Sequence, residues 1–318
     1  MKILVTGAAG FIGFHLCEKL LEEKHQILGI DNINNYYSPS IKYKRLKILK
    51  RSKKFNFIKL DIKNKKKLNL IFKQKINATF HFAAQAGVRY SLKNPRSYVE
   101  NNILGFYNIL ESSIENKVKK IFYASSSSVY GDSKKFPLKE NNIIKPKNIY
   151  ALTKKTNEEI SELAVKNKKI SIIGLRFFTV FGEWGRPDMF IMKYMNAYRQ
   201  KKTFYLNNYG NHLRDFTYIK DVIKIMEKIL DKRKKIKNFE IFNICSNKPI
   251  NLQRVIKFMN KNKIKPKIKK VGLQKADIYK THGNNKKIIK ITKFNKFTNL
   301  EKGLVNTLDW YKKFYKFN

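Results

Sequence analysis

The sequence lacks the features that would cross-link the chain or insert it into a membrane. Only two of its 318 residues are cysteines, Cys17 and Cys245. This number excludes a disulfide framework and fits a reducing cytoplasm. No apolar run reaches the roughly 18 residues that a membrane helix needs, so we expect no membrane span. The scattered histidines and cysteines lack the spacing of metal ligands, and the sequence therefore predicts no metal site.

Acidic residues are scarce: 23 of them face 69 basic residues, which gives a net charge of +46. Taken alone, this charge indicates a nucleic acid or an anionic membrane as the partner. However, 59 of the basic residues are lysines, and Lys, Asn, Ile, Phe and Tyr share A/T-rich codons. The basic residues are also scattered through every segment, so drift in composition explains them better. We expect no specific nucleic-acid partner, although the charge would attract an anionic nucleotide substrate.

Apolar strand-like runs alternate with amphipathic helical stretches from residue 1 to about 176. This alternation predicts an α/β fold, a doubly wound parallel sheet of the Rossmann type. The candidate strands are Lys2–Thr6, Gln26–Asp31, Asn56–Asp61, Thr79–Ala83, Lys120–Ser125 and Ile170–Arg176.

Beyond Arg176 the pattern is less regular, which predicts a smaller C-terminal lobe that binds the substrate. We assign residues 1–178 to the nucleotide-binding domain, and expect 216–246 to rejoin it through a helix and a strand. Residues 179–215 and 247–318 then form the substrate lobe.

Three glycines, Gly7, Gly10 and Gly13, follow the first strand directly and open a helix. In this context they permit a tight turn, close approach of a pyrophosphate and close helix packing, which is typical of dinucleotide sites. Asp31 ends the second strand, where a carboxylate accepts hydrogen bonds from ribose hydroxyls and repels a 2′-phosphate. No arginine follows closely, so we expect NAD rather than NADP. Asp61 is predicted either to contact adenine or to cap a helix.

Tyrosine and lysine four residues apart lie on one face of a helix, where the tyrosine can accept a proton from an alcohol. The spacing alone does not identify a catalytic pair, because it occurs four times: Tyr43/Lys47, Tyr130/Lys134, Tyr150/Lys154 and Tyr198/Lys202.

Four segments together distinguish one of these pairs. They are the glycine turn, His81-Phe82-Ala83-Ala84-Gln85-Ala86-Gly87, Ser125-Ser126-Ser127-Ser128-Val129-Tyr130-Gly131 and Tyr150-x-x-x-Lys154. With them, nearly the whole chain resembles the nucleotide-sugar epimerases of the extended short-chain dehydrogenase/reductase family. The resemblance implies that Tyr150 is the base, that Ser126 positions the substrate alcohol, and that Lys154 holds the nicotinamide ribose and lowers the Tyr150 pKa.

The resemblance also implies a set of binding residues. Those expected to bind the cofactor are Gly7, Gly10, Phe11, Ile12, Gly13, Asp31, Asn32, Asp61, Ile62, Ala83, Ala84, Gln85, Tyr150 and Lys154. Those expected to bind the UDP-sugar are Arg89, Ser126, Ser127, Ser128, Thr179, Arg186, Arg214, Gln274 and Asp277, with Ser127 also catalytic.

Two serines decide which reaction is expected. Dehydratases that resemble this chain carry an acidic pair where Ser127 and Ser128 stand, so elimination of water is disfavoured and 4-epimerisation is expected. Thr179 and Arg186 lie in a segment similar to that of epimerases of UDP-glucuronate, and both suit a carboxylate. A surface ion pair between Arg186 and Asp188, and a salt bridge at Arg214, remain the alternative roles of these arginines. A 4-epimerase of UDP-glucose, UDP-galactose or their N-acetylated forms stays open, as does, more remotely, a polyanion-binding protein on a degenerate dehydrogenase fold.

Three further expectations come from the same resemblance. The chain is expected to form a homodimer through two helices. Glu183 stands where the family usually has proline, so we expect a more mobile loop there. Ala276 replaces a usual glycine before Asp277, which affects the uridine side of the site.

Overall fold

The computed structural model describes residues 1–274 and 277–316 of the chain, so Ala276 lies outside the described residues. The strands are β1 Lys2–Thr6, β2 Gln26–Asp31, β3 Phe55–Lys59, β4 Ala78–His81, β5 Lys120–Ser126, β6 Ser171–Phe177, β7 Thr179–Phe181, β8 Phe204–Asn207, β9 Leu213–Tyr218, β10 Phe239–Ile244, β11 Pro249–Asn251 and β12 Ile268–Val271. The α-helices are α1 Phe11–Glu22, α2 Pro39–Leu49, α3 Lys65–Phe72, α4 Tyr90–Lys93, α5 Pro95–Tyr98, α6 Gly105–Glu115, α7 Ile149–Asn167, α8 Phe190–Arg199, α9 Ile219–Asp231, α10 Leu252–Lys261, α11 Lys286–Thr292 and α12 Leu300–Tyr315.

Within the described residues, a seven-stranded parallel sheet in the order β10-β6-β5-β4-β1-β2-β3 forms the centre of the fold. Helix α1 packs on both α2 and α9, and α3 packs on α6. The strands β1 and β6 are almost wholly buried and rich in Ile, Leu and Val, as expected for parallel strands covered on both faces. The predicted doubly wound Rossmann-type fold is confirmed.

The observed strand ends differ slightly from the predicted ones, with a consequence at Asp61. Strand β3 ends at Lys59, so Asp61 lies in the following loop, where its Oδ1 accepts a hydrogen bond from the Lys63 backbone N–H at 2.9 Å. The N-cap of α3 is Asn64, whose side chain accepts from the Lys67 N–H. Asp61 is therefore not the helix cap that we considered.

The remaining strands form two small sheets. Strands β11, β9 and β7 make one, and β12 pairs with β8 in the other. Strand β10, by contrast, pairs with β6 in the large sheet after the chain has passed through β8 and β9. No helix of the described residues is long and apolar enough to cross a membrane.

Candidate active site

A cavity of about 920 Å³ opens at the carboxyl ends of the central strands. Parallel sheets of this topology bind ligands at that edge. Most of the residues predicted for the cofactor and the substrate line this cavity. Those that do so are Gly7, Gly10, Phe11, Ile12, Gly13, Asp31, Asn32, Ile62, Ala83, Ala84, Gln85, Arg89, Ser126, Ser127, Ser128, Tyr150, Lys154, Thr179, Arg186, Arg214 and Asp277.

The glycine turn between β1 and α1 has a shape that only glycine permits. Gly7 has a φ of +69°, and a Cβ on Gly13 would lie 2.2 Å from the Gly7 carbonyl oxygen. The first turn of α1 therefore approaches β1 closely, and its free backbone N–H groups face the cavity side of the turn. This cradle fits a pyrophosphate, as the sequence predicted.

Asp31 lies at the end of β2 with its carboxylate buried. It accepts hydrogen bonds from the Ala9 N–H at 3.2 Å and the Ile33 N–H at 2.8 Å. Burial raises the pKa of Asp31, while the charge of Lys42 and these backbone bonds oppose the rise. The carboxylate thus connects the glycine turn to the loop after β2, beside the place where a ribose would lie.

Tyr150 occupies the first turn of α7. Asn148 caps it by accepting a hydrogen bond from the Ala151 N–H at 2.9 Å. Burial raises the pKa of Tyr150, while hydrogen bonding with Ser126 and the positive charge of Arg186 lower it. Tyr150, Ser126 and Arg186 all line the same cavity, and Ser126 and Arg186 both favour the phenolate form of Tyr150.

Lys154 lies one turn further along α7, almost fully buried. Its Nζ donates a hydrogen bond to the Ala124 carbonyl at 2.8 Å. Burial lowers the pKa of Lys154 to about 8, and the Glu158 carboxylate opposes this shift. The expected lowering of the Tyr150 pKa by Lys154 is not seen in this arrangement, because the ammonium is directed to the end of β5 and not to the phenol.

The serine run forms the end of β5 and a 3₁₀ turn over Ser127–Tyr130. The Ser126 hydroxyl accepts a hydrogen bond from the Ser128 N–H at 3.1 Å, which fixes the turn. All three predicted serines face the cavity. Tyr130 instead points into the core, where its hydroxyl donates to Asn243 Oδ1 at 2.7 Å.

The other two tyrosine–lysine pairs lie elsewhere. Tyr43 is 53% exposed on α2, and Tyr198 belongs to α8 in the smaller lobe.

Arg186 forms an ion pair with Asp188, which we considered as an alternative role for this arginine. The pair lies in the wall of the cavity and not on the outer surface. Arg186 Nε and Nη2 donate to the two carboxylate oxygens of Asp188, at 3.0 and 2.6 Å. Among the described residues the Nη1 group has no hydrogen-bond partner. Arg186 and Thr179 both line the wall near Tyr150.

Arg214 is a partly buried cation without a carboxylate partner among the described residues, so the predicted alternative of a salt bridge is wrong. Its Nη1 donates to the carbonyls of Leu213 and Tyr279, at 3.0 and 2.9 Å. Burial lowers its pKa to about 10; the charge of Asp277 raises it and that of Arg89 lowers it further. Asp277 instead forms a two-point ion pair with Arg89, at 3.0 and 2.6 Å.

Two predicted residues do not line the cavity. Asp61 accepts a hydrogen bond from Asn32 Nδ2 at 3.3 Å. Asn32 lines the cavity, but Asp61 does not. Gln274 is exposed on the loop after β12. At Glu183, where a mobile loop was expected, the carboxylate accepts hydrogen bonds from Tyr218 at 2.8 Å and pairs with Lys220 at 3.3 Å.

Sequence reasoning missed several residues around the site because their contacts are distant in sequence. Tyr98 packs edge-on against Tyr150, with ring centroids 6.1 Å apart, and its hydroxyl donates to the Ala86 carbonyl. Asn102, in a π-helical turn over Val99–Leu104, donates to the carbonyl of Gln85 and to Thr153. π-helical turns are frequent at functional sites, but no sequence signal for one was evident.

The carboxylates that line the cavity are Asp31, Asp188 and Asp277, among the described residues. Asp188 and Asp277 are each paired with an arginine, and Asp31 holds backbone N–H groups. No group of three or more His, Cys, Asp or Glu side chains that could hold a metal ion occurs in the described part of the chain.

Comparison with known proteins gives a consistent result. A model of the NAD dependent epimerase/dehydratase family matches residues 3–245. Protein CapI of Staphylococcus aureus is 37% identical over 99% of this chain and 100% of its own length. UDP-glucuronate 4-epimerase 4 of Arabidopsis thaliana is 37% identical over 99% of this chain and 76% of its own length. The crystal structure of UDP-glucuronic acid 4-epimerase from Bacillus cereus in complex with UDP-glucuronic acid and NAD has a TM-score of 0.94 at 32% identity, covering 99% of this chain and 100% of that one.

The glycine cradle, the acidic end of β2 and a cavity that holds a tyrosine, a serine and a lysine define a dinucleotide-dependent enzyme of the Rossmann type. Within that class, the chain belongs to the NAD dependent epimerase/dehydratase family. The family resemblance and the NAD cofactor predicted from the sequence are confirmed.

Proposed function

We propose that this protein is an NAD-dependent 4-epimerase that interconverts UDP-glucuronate and UDP-galacturonate, an isomerase. The observation that carries the proposal is that Tyr150, Ser126 and Arg186 line one cavity, which combines a base for the sugar hydroxyl with a cation for a carboxylate. The relatives named UDP-glucuronate 4-epimerases, at 37% identity and nearly full coverage, support the same activity.

The cofactor would lie along the glycine cradle, with Asp31 at the adenosine ribose and Lys154 at the nicotinamide ribose. When bound, NAD supplies reversible acceptance of the hydride from C4 of the sugar. The close approach of α1 to Gly7 and the buried Asp31 carboxylate are the features that suit it.

Tyr150 would take the proton from the O4 hydroxyl and later return it. A hydrogen bond from Ser126 would stabilise the phenolate oxygen, and the charge of Arg186 would act in the same direction. The two groups together would offset the effect of burial, which disfavours the phenolate.

Among the described residues, no unpaired acid lines the proposed sugar end of the cavity, which favours epimerisation over elimination. Loss of water requires a carboxylate that can donate and accept protons near the sugar. Among the described residues, Asp188 is the carboxylate at the proposed sugar end of the cavity, and it forms an ion pair with Arg186. Return of the hydride to the opposite face requires no further acid, only rotation of the keto sugar.

The diphosphate would bind near Arg214. A partly buried guanidinium whose bonds go only to carbonyl groups retains unused N–H donors, and two of them match a diphosphate oxygen pair. Arg89, now paired with Asp277, is the second cation within reach. This end of the cavity would fix the nucleotide while the sugar turns.

The test is to incubate the purified protein with UDP-glucuronate, and in parallel with UDP-galactose and UDP-N-acetylgalactosamine, and to separate the products by chromatography. We expect UDP-galacturonate from the first and little product from the neutral sugars. Turnover of a neutral sugar with none of the uronate would support the alternative 4-epimerase. No turnover of any UDP-sugar, with RNA retained at physiological salt, would support a polyanion-binding protein.

We also propose a homodimer formed through α6 and α7 and the π-helical turn. Several large apolar side chains are exposed on these neighbouring helices, and a second copy would cover them. They are Val99, Leu104, Tyr107, Leu152 and Leu163. A cytoplasmic location is proposed because both cysteines are free thiols. Sedimentation of the purified protein tests the dimer.

A further inference from the structure

The loop between β2 and α2, residues 32–38, lies between the cofactor cradle and the proposed sugar pocket. Two buried cations of α2 hold it. Lys42 Nζ donates to the carbonyl and the side-chain oxygen of Asn34, at 2.7 and 2.9 Å. Arg45 donates to the Tyr37 hydroxyl of the loop at 3.2 Å, and also to the Ala9 and Trp184 carbonyls, at 2.7 and 2.5 Å. The loop is therefore fixed to the glycine turn on one side and to the segment before Arg186 on the other.

Tyr36 extends from this loop to the wall of the sugar pocket. Its hydroxyl donates a hydrogen bond to Asp188 Oδ2 at 3.1 Å. Its ring lies 5.1 Å from that of Tyr90, and a Cβ on Gly87 would come within 2.1 Å of its hydroxyl oxygen. These contacts leave the hydroxyl group little freedom to turn away from Asp188.

Asp188 is the link between Tyr36 and Arg186. The same Oδ2 that accepts from Tyr36 also accepts from Arg186 Nη2 at 2.6 Å. A two-point pair fixes the plane of the guanidinium, and a third donor from a separate loop fixes the carboxylate. This pairing uses Nε and Nη2 and leaves Nη1 of Arg186, which has no partner among the described residues, available to a ligand in the cavity.

We propose that Tyr36 is a positioning residue for the sugar carboxylate: through Asp188 it holds Arg186 in the orientation that binds the uronate. This inference rests on the proposed function, and it gives the loop after Asp31 a second role in addition to contact with the cofactor.

The chemical consequence concerns the 4-keto intermediate, which is a β-keto acid. If the sugar ring bends so that the C5–C6 bond stands perpendicular to the plane of the C4 carbonyl, the bond overlaps the carbonyl π orbital and breaks. Carbon dioxide leaves, the electron pair forms an enolate, and a proton from water adds at C5. The product is a UDP-4-keto-pentose, with one carbon dioxide released and the hydride left on the cofactor. Holding the carboxylate in place prevents this alignment.

The experiment compares the unaltered chain with Tyr36→Phe, Asp188→Asn and the double variant. Tyr36→Phe retains the ring and removes only the hydroxyl group. Purified enzyme with its cofactor is incubated with UDP-glucuronate, and UDP-galacturonate, UDP-4-keto-pentose and carbon dioxide are measured. Tyr43→Phe, on the exposed side of α2, is the matched control. Calorimetry with UDP alone measures nucleotide binding.

We expect Tyr36→Phe to lower kcat/KM for UDP-glucuronate about tenfold, the usual effect of losing a hydrogen bond to a charged group. The share of keto-pentose should rise in step, while UDP binding and the thermal midpoint stay as in the Tyr43→Phe control. The double variant should be no worse than Asp188→Asn, because both changes act through one carboxylate.

Two results would overturn the inference. One is a Tyr36→Phe enzyme with unchanged kcat/KM and product ratio; the other is a double variant whose loss equals the product of the two single losses. An unaltered chain that makes no UDP-galacturonate would overturn the proposed function as well. Failure of the Tyr36 inference can thus be told from failure of the proposed function, because the first two results can be obtained only if the unaltered enzyme makes UDP-galacturonate.

Discussion

Glu158 and Arg176 form a buried ion pair directly behind the proposed catalytic face of α7. Their side chains are 4% and 3% exposed. Arg176 Nε and Nη2 donate to the two carboxylate oxygens of Glu158, at 2.8 and 2.7 Å, and Ser125 donates to the same carboxylate. Arg176 Nη1 donates to the Tyr130 hydroxyl. The pair therefore joins α7, β5, β6 and the serine turn.

Glu158→Gln leaves the guanidinium buried without its counter-charge, and removal of one partner of such a pair costs about 3–5 kcal/mol of unfolding free energy. Urea unfolding followed by circular dichroism measures this loss. Glu162→Gln, an exposed pair with Lys166 on the same helix, is the control and should lose less than about 0.5 kcal/mol. Replacing both partners, Glu158→Leu with Arg176→Met, should lose less than Glu158→Gln, because no unpaired charge then remains.

The same change has a functional consequence, because the Glu158 carboxylate opposes the lowering of the Lys154 pKa by burial. Without it the Lys154 pKa falls below about 8, so at a given pH more of the Lys154 amine is neutral. If its charge holds the nicotinamide ribose, as proposed, kcat should begin to fall at a lower alkaline pH than in the unaltered enzyme. A loss in Glu158→Gln of under about 1 kcal/mol, or a double variant that loses the sum of the two single changes, would refute the reasoning.

Three further predictions concern single residues. Tyr150→Phe should lower kcat by about 10²–10⁴-fold in a chromatographic assay, with UDP affinity by calorimetry unchanged, because only the proton acceptor is lost. Burial lowers the pKa of His81 from 6.5 to about 3, so the unfolded chain binds a proton in this interval that the folded chain does not. The free energy of unfolding should therefore fall as the pH drops below 6.5, by up to ~1.4 kcal/mol per pH unit, and urea titrations should show a smaller slope in His81→Gln. Asn148→Ala removes the cap of α7 and should cost about 1 kcal/mol in the same urea assay; an unchanged midpoint would contradict the role of the cap.

The fold was predictable because local patterns determine most of it. Alternating apolar strands and amphipathic helices indicate a parallel sheet, and glycine at positions 7, 10 and 13 indicates the turn after β1. The start of α7 was predictable from Asn148, since an asparagine cap is a local signal. Strand ends were less predictable. Strand β3 ends at Lys59, two residues before Asp61, and Asn64 rather than Asp61 caps helix α3.

The sequence predicted which residues line the site better than it predicted which side chains bond to one another there. The residues that the resemblance implied mostly line one cavity, yet their roles in binding and catalysis stay predictions, as do the domain bounds. The direction of the Lys154 ammonium, the ion pair of Arg89 with Asp277 and the contact of Tyr36 with Asp188 depend on chain segments far apart in sequence. Such pairings follow from packing in three dimensions, which a single sequence does not specify.

The most direct test of the proposed epimerase follows the hydrogen at C4. UDP-glucuronate carrying deuterium at C4 is incubated with the enzyme in ordinary water, and the isolated UDP-galacturonate is analysed by mass spectrometry and NMR. Removal and return of the same hydride predict a product that keeps its deuterium at C4, now on the other face of the ring. Replacement of that deuterium by hydrogen from the solvent, or no UDP-galacturonate at all, would contradict the account.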